Sequence, residues 1–386
     1  MSRQRVCVVT GSRAEYGLLY WVLHDLRADP GVELQLVATG MHLAPQFGMT
    51  VREIEADGFH VERRVEMLLA SDTAGGVARS LGLGVIGMSE ALETLRPDIV
   101  VVLGDRFEIL AAAQACLVHR IPLAHIAGGD VTEGAIDESM RHAITKMAHL
   151  HLVTHEASAA RVRQMGEDPA RVHVVGSPGL DHIRRRTLLD RARLEDALGA
   201  QLGRRNLLVT FHPVTLADND GVGQFEELLA ALDQEPEDCR LWFTRPNADT
   251  GGHAMVRLLD AWVDGHIGRA FVYTSLGQLR YLSLMAHVDA VVGNSSSGLY
   301  EAPSFGIPTV NIGDRQRGRL AADSVLHCPP QRLAIAQTIR RALARDCRGV
   351  VNPYGDGASA ARIVQLLRAM PTGAAVLRKP FCSVGP

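Results

Sequence analysis

Residues 97–130 read PDIVVVLGDRFEILAAAQACLVHRIPLAHIAGGD, and the order of patterns within them decides the fold. IVVVL is apolar at every position, which suits a strand covered on both faces rather than one with a wet side. Gly104-Asp105-Arg106 punctuates it, a helical pattern follows, and a second apolar run ends in Gly128-Gly129-Asp130. Strand, turn, helix and strand in that order make one βαβ unit, so the sheet is parallel. The alternation extends outward to RVCVVTGSR and VELQLVATG on one side and to HLHLVTHE and RVHVVGSPG on the other.

After Gly176 the rhythm lapses into LDHIRRRTLLDRARLEDALGAQLGRRN, a charge-rich helical segment. Strands then resume at NLLVTFHP, RLWFTRPN, AFVYTS, DAVVGNSSSG and PTVNIGDR. The pattern predicts two Rossmann-like parallel-sheet α/β domains facing a central cleft, residues 1–180 and 181–370. A tail of residues 371–386 follows, because Pro371 ends the last helical pattern.

The 386 residues are 47% hydrophobic and 22% charged, enough apolar material for two cores. A formal net charge of -3 gives neither a nucleic-acid footprint nor a polybasic membrane patch, so anionic ligands must be met by local charges. The six cysteines are scattered and form no CxxC pair, which fits a reduced, cytoplasmic protein. No export signal and no run long enough to span a membrane is apparent.

Ligands of wound sheets bind outside the carboxyl ends of the strands. Five clusters are expected there: Gly11-Ser12-Arg13, Gly104-Asp105-Arg106, Gly128-Gly129-Asp130, His212, and Asn294 to Gly298. TGSRAEYGLL is not GxGxxG, and the second strand ends in ATGMH without the acid that a dinucleotide ribose needs, which speaks against NAD. Arg13 and the adjacent amides suit a diphosphate, or Arg13 is simply solvated. Ser295, Ser296 and Ser297 supply hydroxyls and amides at a helix start, either as a phosphate cradle or as an ordinary N-cap. Glu301, one turn on, has the two acceptor oxygens that a pair of ribose hydroxyls would use. Arg315, Arg317 and Arg319 follow the next strand. Asp137 and Arg141 are spaced i, i+4, which allows a local ion pair. Asp105, Asp130 and Asp137, however, all come from one sheet edge without metal-ligand spacing, and converging acids suit general acid/base work.

Taken together, GDRFEI, HIAGGDVTEGAIDESMRHAITKMAHLH, GSPGLD, FHPVT, GNSSSGLYEAPSFGIPTVNIGDRQRGR and the closing KPF resemble the hydrolysing UDP-N-acetylglucosamine 2-epimerases. The resemblance spans nearly the whole chain and is nearest the branch that feeds sialic and other nonulosonic acids. It implies a GT-B type fold, catalytic acids from the N-terminal domain, the nucleotide held by the C-terminal one, a homo-oligomer, and no metal or other cofactor. Asp105, Asp130 and Asp137 are then the catalytic carboxylates, with Arg141 and His212 beside diphosphate and sugar. Arg13, Arg106, Asn247, Ser295, Ser296, Glu301 and Arg315 hold UDP, and His42 lies near the sugar. Relatives often carry Glu where Asp130 stands, so the carboxylate here is one methylene shorter, which gives weight to a different sugar such as UDP-N,N'-diacetylbacillosamine.

The chemistry demands such residues. The C2 proton of a UDP-amino sugar has no neighbouring carbonyl, so C1–O cleavage must make it acidic. Anti elimination of UDP gives a 2-acetamidoglucal, and water then adds at C1 as a proton reaches C2 from the other face. Two faces require at least two acids. A glycosyltransferase using a UDP-sugar donor, or a nucleotide-sugar binder without turnover, are the alternative expectations.

Overall fold

Val6 and Val8 face one side of the first strand and Cys7 and Val9 the other, and all four are buried. That double burial is what a parallel sheet wound on both faces requires. The computed structural model describes residues 3–71, 73–132, 136–213, 221–245, 252–371 and 373–383, the side chains of 252, 253, 374 and 375 excepted.

Seven strands build the first sheet: β1 (Gln4–Thr10), β2 (Val32–Thr39), β3 (Arg63–Val65), β4 (Ile99–Leu103), β5 (Leu123–Ile126), β6 (Leu150–Val153) and β7 (Val172–Val174). Their order is β3-β2-β1-β4-β5-β6-β7, every pair parallel. Six more build the second: β8 (Arg205–Thr210), β9 (Cys239–Thr244), β10 (Ala270–Tyr273), β11 (Ala290–Gly293), β12 (Thr309–Ile312) and β13 (Val325–Cys328). Their order is β10-β9-β8-β11-β12-β13, again parallel. The strand order therefore reverses between β1 and β4 in one sheet and between β8 and β11 in the other, the switch points where such folds bind ligands.

Two hydrophobic clusters sandwich the first sheet. Leu19, Val22, Leu23 and Leu26 of the helix Arg13–Ala28 cover one face, while Met88, Ala91 and Leu92 of Ala74–Leu95 cover the other with Ile109 and Ala113 of Phe107–His119. The second sheet is enclosed likewise, with Leu207 and Val209 on one side and Leu208 on the other.

The chain divides into one unit of Met1–Arg184 with Tyr354–Pro386 and a second of Arg185–Pro353. The helix Ser359–Ala369, expected in the second domain, thus belongs with the first. Its Ala360, Ile363 and Leu367 complete the apolar face begun by Leu19 and Leu23. Asp181 accepts from the Ser359 and Ala360 amides at 3.0 Å each, capping the helix from far along the chain. Helical periodicity reveals that a segment has an apolar face, but not which core receives it.

The tail packs on the same unit. Lys379 donates to the carbonyls of Lys146 (2.5 Å) and Ala148 (2.6 Å), at the carboxyl end of the helix Ile136–Met147. It also meets Glu167 at 2.7 Å. Among the described residues, no helix is long and apolar enough to cross a membrane. All six cysteines are unbridged.

Candidate active site

In the first unit the loops after β1 and β4 flank the switch point. Ser12 caps the helix Arg13–Ala28, its hydroxyl accepting from the Glu15 amide. Arg13 reaches out to Glu53, 3.1 Å away, and is largely exposed. After β4, Asp105 is clasped by Arg141: Nε donates to Oδ2 at 2.9 Å, and Nη2 donates to the same oxygen. The remaining donors of Arg141 go to the Asp130 carbonyl (2.7 Å) and the Thr132 hydroxyl (2.8 Å). Arg141 is only 4% exposed. It therefore ties the loops after β4 and β5 together from the helix that follows them. Its ion-pair partner is Asp105, not the i−4 residue Asp137 that helical spacing allows.

Asp130 ends the Gly128-Gly129 turn. A Cβ at Gly129 (φ +78°) would lie 2.6 Å from the Ser158 carbonyl oxygen, so only glycine lets this loop approach the helix Glu156–Gln164. The approach brings Asp130 Oδ1 within 2.5 Å of the Ser158 hydroxyl and 3.0 Å of the Thr154 hydroxyl, both of which donate to it. His155 Nε2 lies 3.5 Å from the same oxygen. Thr154, His155 and Ser158 carry no motif signal. Only their placement beside Asp130 makes them part of the site.

Asp137 sits in the first turn of Ile136–Met147, partly buried. Burial, and then the charge of Asp105, raise its carboxyl above the ordinary aspartate range, against the lowering pull of Arg106 and Arg141. Arg106 itself is held by Glu108, whose Oε1 accepts from Nε at 3.2 Å and Nη2 at 3.1 Å. His125, wholly buried in β5, hydrogen-bonds the Gly104 carbonyl through Nε2 at 2.7 Å and so fixes the turn before Asp105. The carbonyl can only accept, so Nε2 carries the proton, and burial pushes this imidazole down to about 3.

His42 differs from the expected sugar contact. Its ring is wholly buried, with Nδ1 on the Thr50 hydroxyl (2.8 Å) and Nε2 on the Thr10 hydroxyl (3.0 Å). Burial pushes it down to about 4. A neutral ring with both nitrogens engaged braces the end of β1 from behind.

The second unit repeats the design at β8 and β11. Asn294, fully buried, accepts from the His212 amide at 2.7 Å and donates to the His212 carbonyl at 2.9 Å. This two-way bridge locks the loops on either side of the switch point. The Asn294 carbonyl in turn accepts from Arg315 Nη1 (3.1 Å) and Gln316 Nε2 (2.8 Å). Gly293 precedes it at φ +138°, where a Cβ would overlap the Thr210 carbonyl oxygen at 1.9 Å.

Ser297 meets Ser295 (3.3 Å) and the Tyr281 hydroxyl (2.5 Å). Ser296 caps only a single turn, Ser297–Tyr300, before a 3-10 turn takes over. The expected helix start is thus too short for a strong dipole. Glu301 follows with Oε2 buried and unpartnered, and burial pushes its carboxyl up to about 7. Arg319 bonds Gln316 (2.8 Å) and stands over the Tyr300 ring. Asn247 lies outside the described residues. No group of three His, Cys, Asp or Glu side chains among the described residues is arranged to hold a metal ion.

A family model described as UDP-N-acetylglucosamine 2-epimerase matches residues 24–368. The chain is 41% identical over 326 residues to the GDP/UDP-N,N'-diacetylbacillosamine 2-epimerase (hydrolyzing) of Campylobacter jejuni, covering 84% of each chain. It is 35% identical over 377 residues to the UDP-N,N'-diacetylbacillosamine 2-epimerase (hydrolyzing) of Legionella pneumophila, covering 97% of this chain and 98% of that one. Among solved structures, UDP-GlcNAc 2-epimerase from Neisseria meningitidis, bound to UDP-GlcNAc, shares the fold with a TM-score of 0.76 at 18% identity, covering 95% of this chain and all of that one.

Proposed function

Because the chain belongs to the UDP-N-acetylglucosamine 2-epimerase family, we propose that it is a hydrolysing 2-epimerase, converting a UDP-2-acetamido sugar to UDP and the free 2-epimer. The observation that carries the reading is Arg141 at the carboxyl edge of one sheet, clasping the Asp105 carboxylate and the Asp130 carbonyl and acting on the Asp137 carboxyl. UDP-N-acetylglucosamine fits the reaction. UDP-N,N'-diacetylbacillosamine is favoured by the names of the two relatives and by the short Asp130 with its hydroxyl and imidazole neighbours. The product then enters synthesis of a nonulosonic acid of the sialic or legionaminic type. Unbridged thiols suit work in the cytoplasm, and a homo-oligomer is part of the same reading.

Ser295, Ser296, Ser297, Arg315, His212 and Arg13 serve the diphosphate, joined by Arg106, and Glu301 takes the ribose hydroxyls. These groups stabilise the charge left on UDP as the C1–O bond breaks, the electrostatic effect that usually dominates such catalysis. Asp105 or Asp130 takes the C2 proton, giving the 2-acetamidoglucal. A base then takes a proton from water as it adds at C1, while Asp137, the acid with the raised carboxyl, delivers its own proton to C2 on the opposite face.

The test is a panel of UDP- and GDP-linked 2-acetamido sugars incubated without acceptor in deuterated water. UDP release with one deuterium at C2 supports the reading. Release only when an acceptor is added points to a glycosyltransferase, and saturable binding with unchanged sugar points to a non-catalytic binder. Asp105→Asn, Asp130→Asn and Asp137→Asn should each lower kcat by roughly 10²–10⁴-fold with UDP affinity kept; wild-type rates in all three would sink the carboxylate assignment.

A further inference from the structure

Two acids directly behind the loops after β1 and β4 have no part in the reaction just described. Glu15 is 5% exposed and Glu108 is not exposed at all. Each has one oxygen engaged: Glu15 Oε2 accepts from the Gly11 amide at 2.7 Å, and Glu108 Oε1 accepts from Arg106. The other oxygens, Glu15 Oε1 and Glu108 Oε2, are buried without a hydrogen-bond partner. Both side chains pack on Gly11, where a Cβ would lie 3.2 Å from Glu108 Cβ and 3.4 Å from Glu15 Oε2. Gly40 closes the other side, its own Cβ position 2.7 Å from Glu108 Cγ.

A buried carboxylate oxygen with no donor is expensive, and two side by side more so. The charged groups around Glu15 are Glu108, Arg106 and Asp105. Asp137 also acts on Arg106, the His42 ring nearby is uncharged, and Arg141 is already spent on Asp105. Among the described residues, Arg106 is thus the one cation facing two carboxyl groups. One added proton eases both faults, because it removes a charge and makes one carboxylate oxygen a donor.

We infer that Glu15 and Glu108 hold a single proton between them, and that this half-ionised pair positions the two anion-binding loops. Glu108 aims the Arg106 guanidinium through Oε1, and neutral Glu15 fixes the Gly11-Ser12-Arg13 turn through the Gly11 amide. When the proton leaves, a second buried negative charge competes with substrate for Arg106. Burial pushes the Glu15 carboxyl up to about 8, with the Gly11 amide opposing and Glu108 adding to the rise, so the loss falls in the alkaline range. Both are positioning residues, and the inference rests on the reading of Arg106 and the Gly11 turn as diphosphate contacts.

The test compares Glu15→Gln with wild type across pH. Glutamine copies the neutral acid but cannot lose its proton. Near pH 7 it should leave kcat and KM within about twofold of wild type, and it should abolish the alkaline rise in KM, which in wild type approaches about tenfold per pH unit above the transition. Glu108→Gln frees Arg106 and should raise KM about tenfold at all pH values. An alkaline rise that survives in Glu15→Gln overturns the inference, as does a Glu15→Gln defect near pH 7 as large as that of Glu15→Ala. Carbon-13 NMR of glutamate side-chain carboxyls reads the pair without turnover. One resonance should titrate at about 8 in wild type, as the Glu15 carboxyl does, and its midpoint should fall in Glu108→Gln. If no carboxyl behaves so, the shared proton is absent. If that resonance is present while every UDP-sugar is left unchanged, the proposed function fails and the proton pair stands.

Discussion

Glu301 shows most clearly how its surroundings set the proton of a single residue. Its carboxyl is raised to about 7 by burial, with one oxygen left without a donor. Two ribose hydroxyls would supply donors and favour the ionised form. UDP binding near neutral pH should therefore release a proton, seen calorimetrically as a binding heat that varies with the ionisation enthalpy of the buffer. Glu301→Gln should remove that variation; buffer-independent heats in wild type would mean that no ribose meets Glu301. The same shift makes a stability statement. The folded value lies above the unfolded one, so stability is full below about 4.5, the unperturbed value, and is lost as pH rises through about 7. Glu301→Gln should flatten that stretch of the pH–Tm curve. At this scale the sequence was legible in placement: Asp105, Asp130 and Ser295 do stand just after the glycine-punctuated ends of β4, β5 and β11. It misled at Arg141, whose partner Asp105 is 36 positions away, and at His42, whose neighbours Thr10 and Thr50 come from other segments.

The loops after β8 and β11 behave as one element because Asn294 holds them. Asn294→Ala removes the side chain that accepts from the His212 amide and donates to the His212 carbonyl, so it should cost about 2–3 kcal/mol of stability in denaturant titration and weaken UDP binding more than it slows chemistry. Unchanged UDP affinity would separate this bridge from nucleotide recognition. The helix Ile136–Met147 is held at both ends: Arg141 anchors its first turns to Asp105, and Lys379 fastens its last carbonyls. Glu167 joins the same tie. Burial opposes its charge, but hydrogen bonds from His151, Lys146 and Lys379 bring its carboxyl down to about 2. Glu167 therefore contributes stability above its ordinary pKa, near 4.5, that is lost as pH falls towards about 2. Lys379→Met should shrink this acid-sensitive contribution and lower kcat several-fold by loosening the helix that carries Asp137; an unaltered acid limb in thermal unfolding would refute it. That both sheets are parallel was legible from the alternation of apolar runs with helical patterns; the strand order, and the short edge strands β3 and β13, were not. The one-turn helix at Ser297 was not, because local residues give a helix start and Pro303 decides how soon it stops.

The two units differ in how they are assembled from the chain. Residues 185–353 form the second unit continuously, whereas the first needs both 1–184 and 354–386. A fragment ending at residue 184 would lack Ile363 and Leu367 from its core and leave Asp181 without the amides that it caps. We expect that fragment to be aggregated or poorly protected in hydrogen exchange, and a fragment of residues 185–353 to unfold cooperatively alone. A cooperative transition in residues 1–184 would show that the returning helix is dispensable. The two-domain plan was legible from the lapse of strand rhythm after Gly176. The return of the last helix was not, because a stripe of Ala360, Ile363 and Leu367 satisfies either core equally on paper.

That return fixes an order of events on the ribosome. The acids of the first sheet leave the exit tunnel before the second unit does, yet their own unit cannot close until residues 354–386 are made. The intervening unit can fold meanwhile as an uninterrupted stretch. Of the two units, the one begun earlier is thus the later to mature, and its unclosed apolar face is the surface a chaperone would meet.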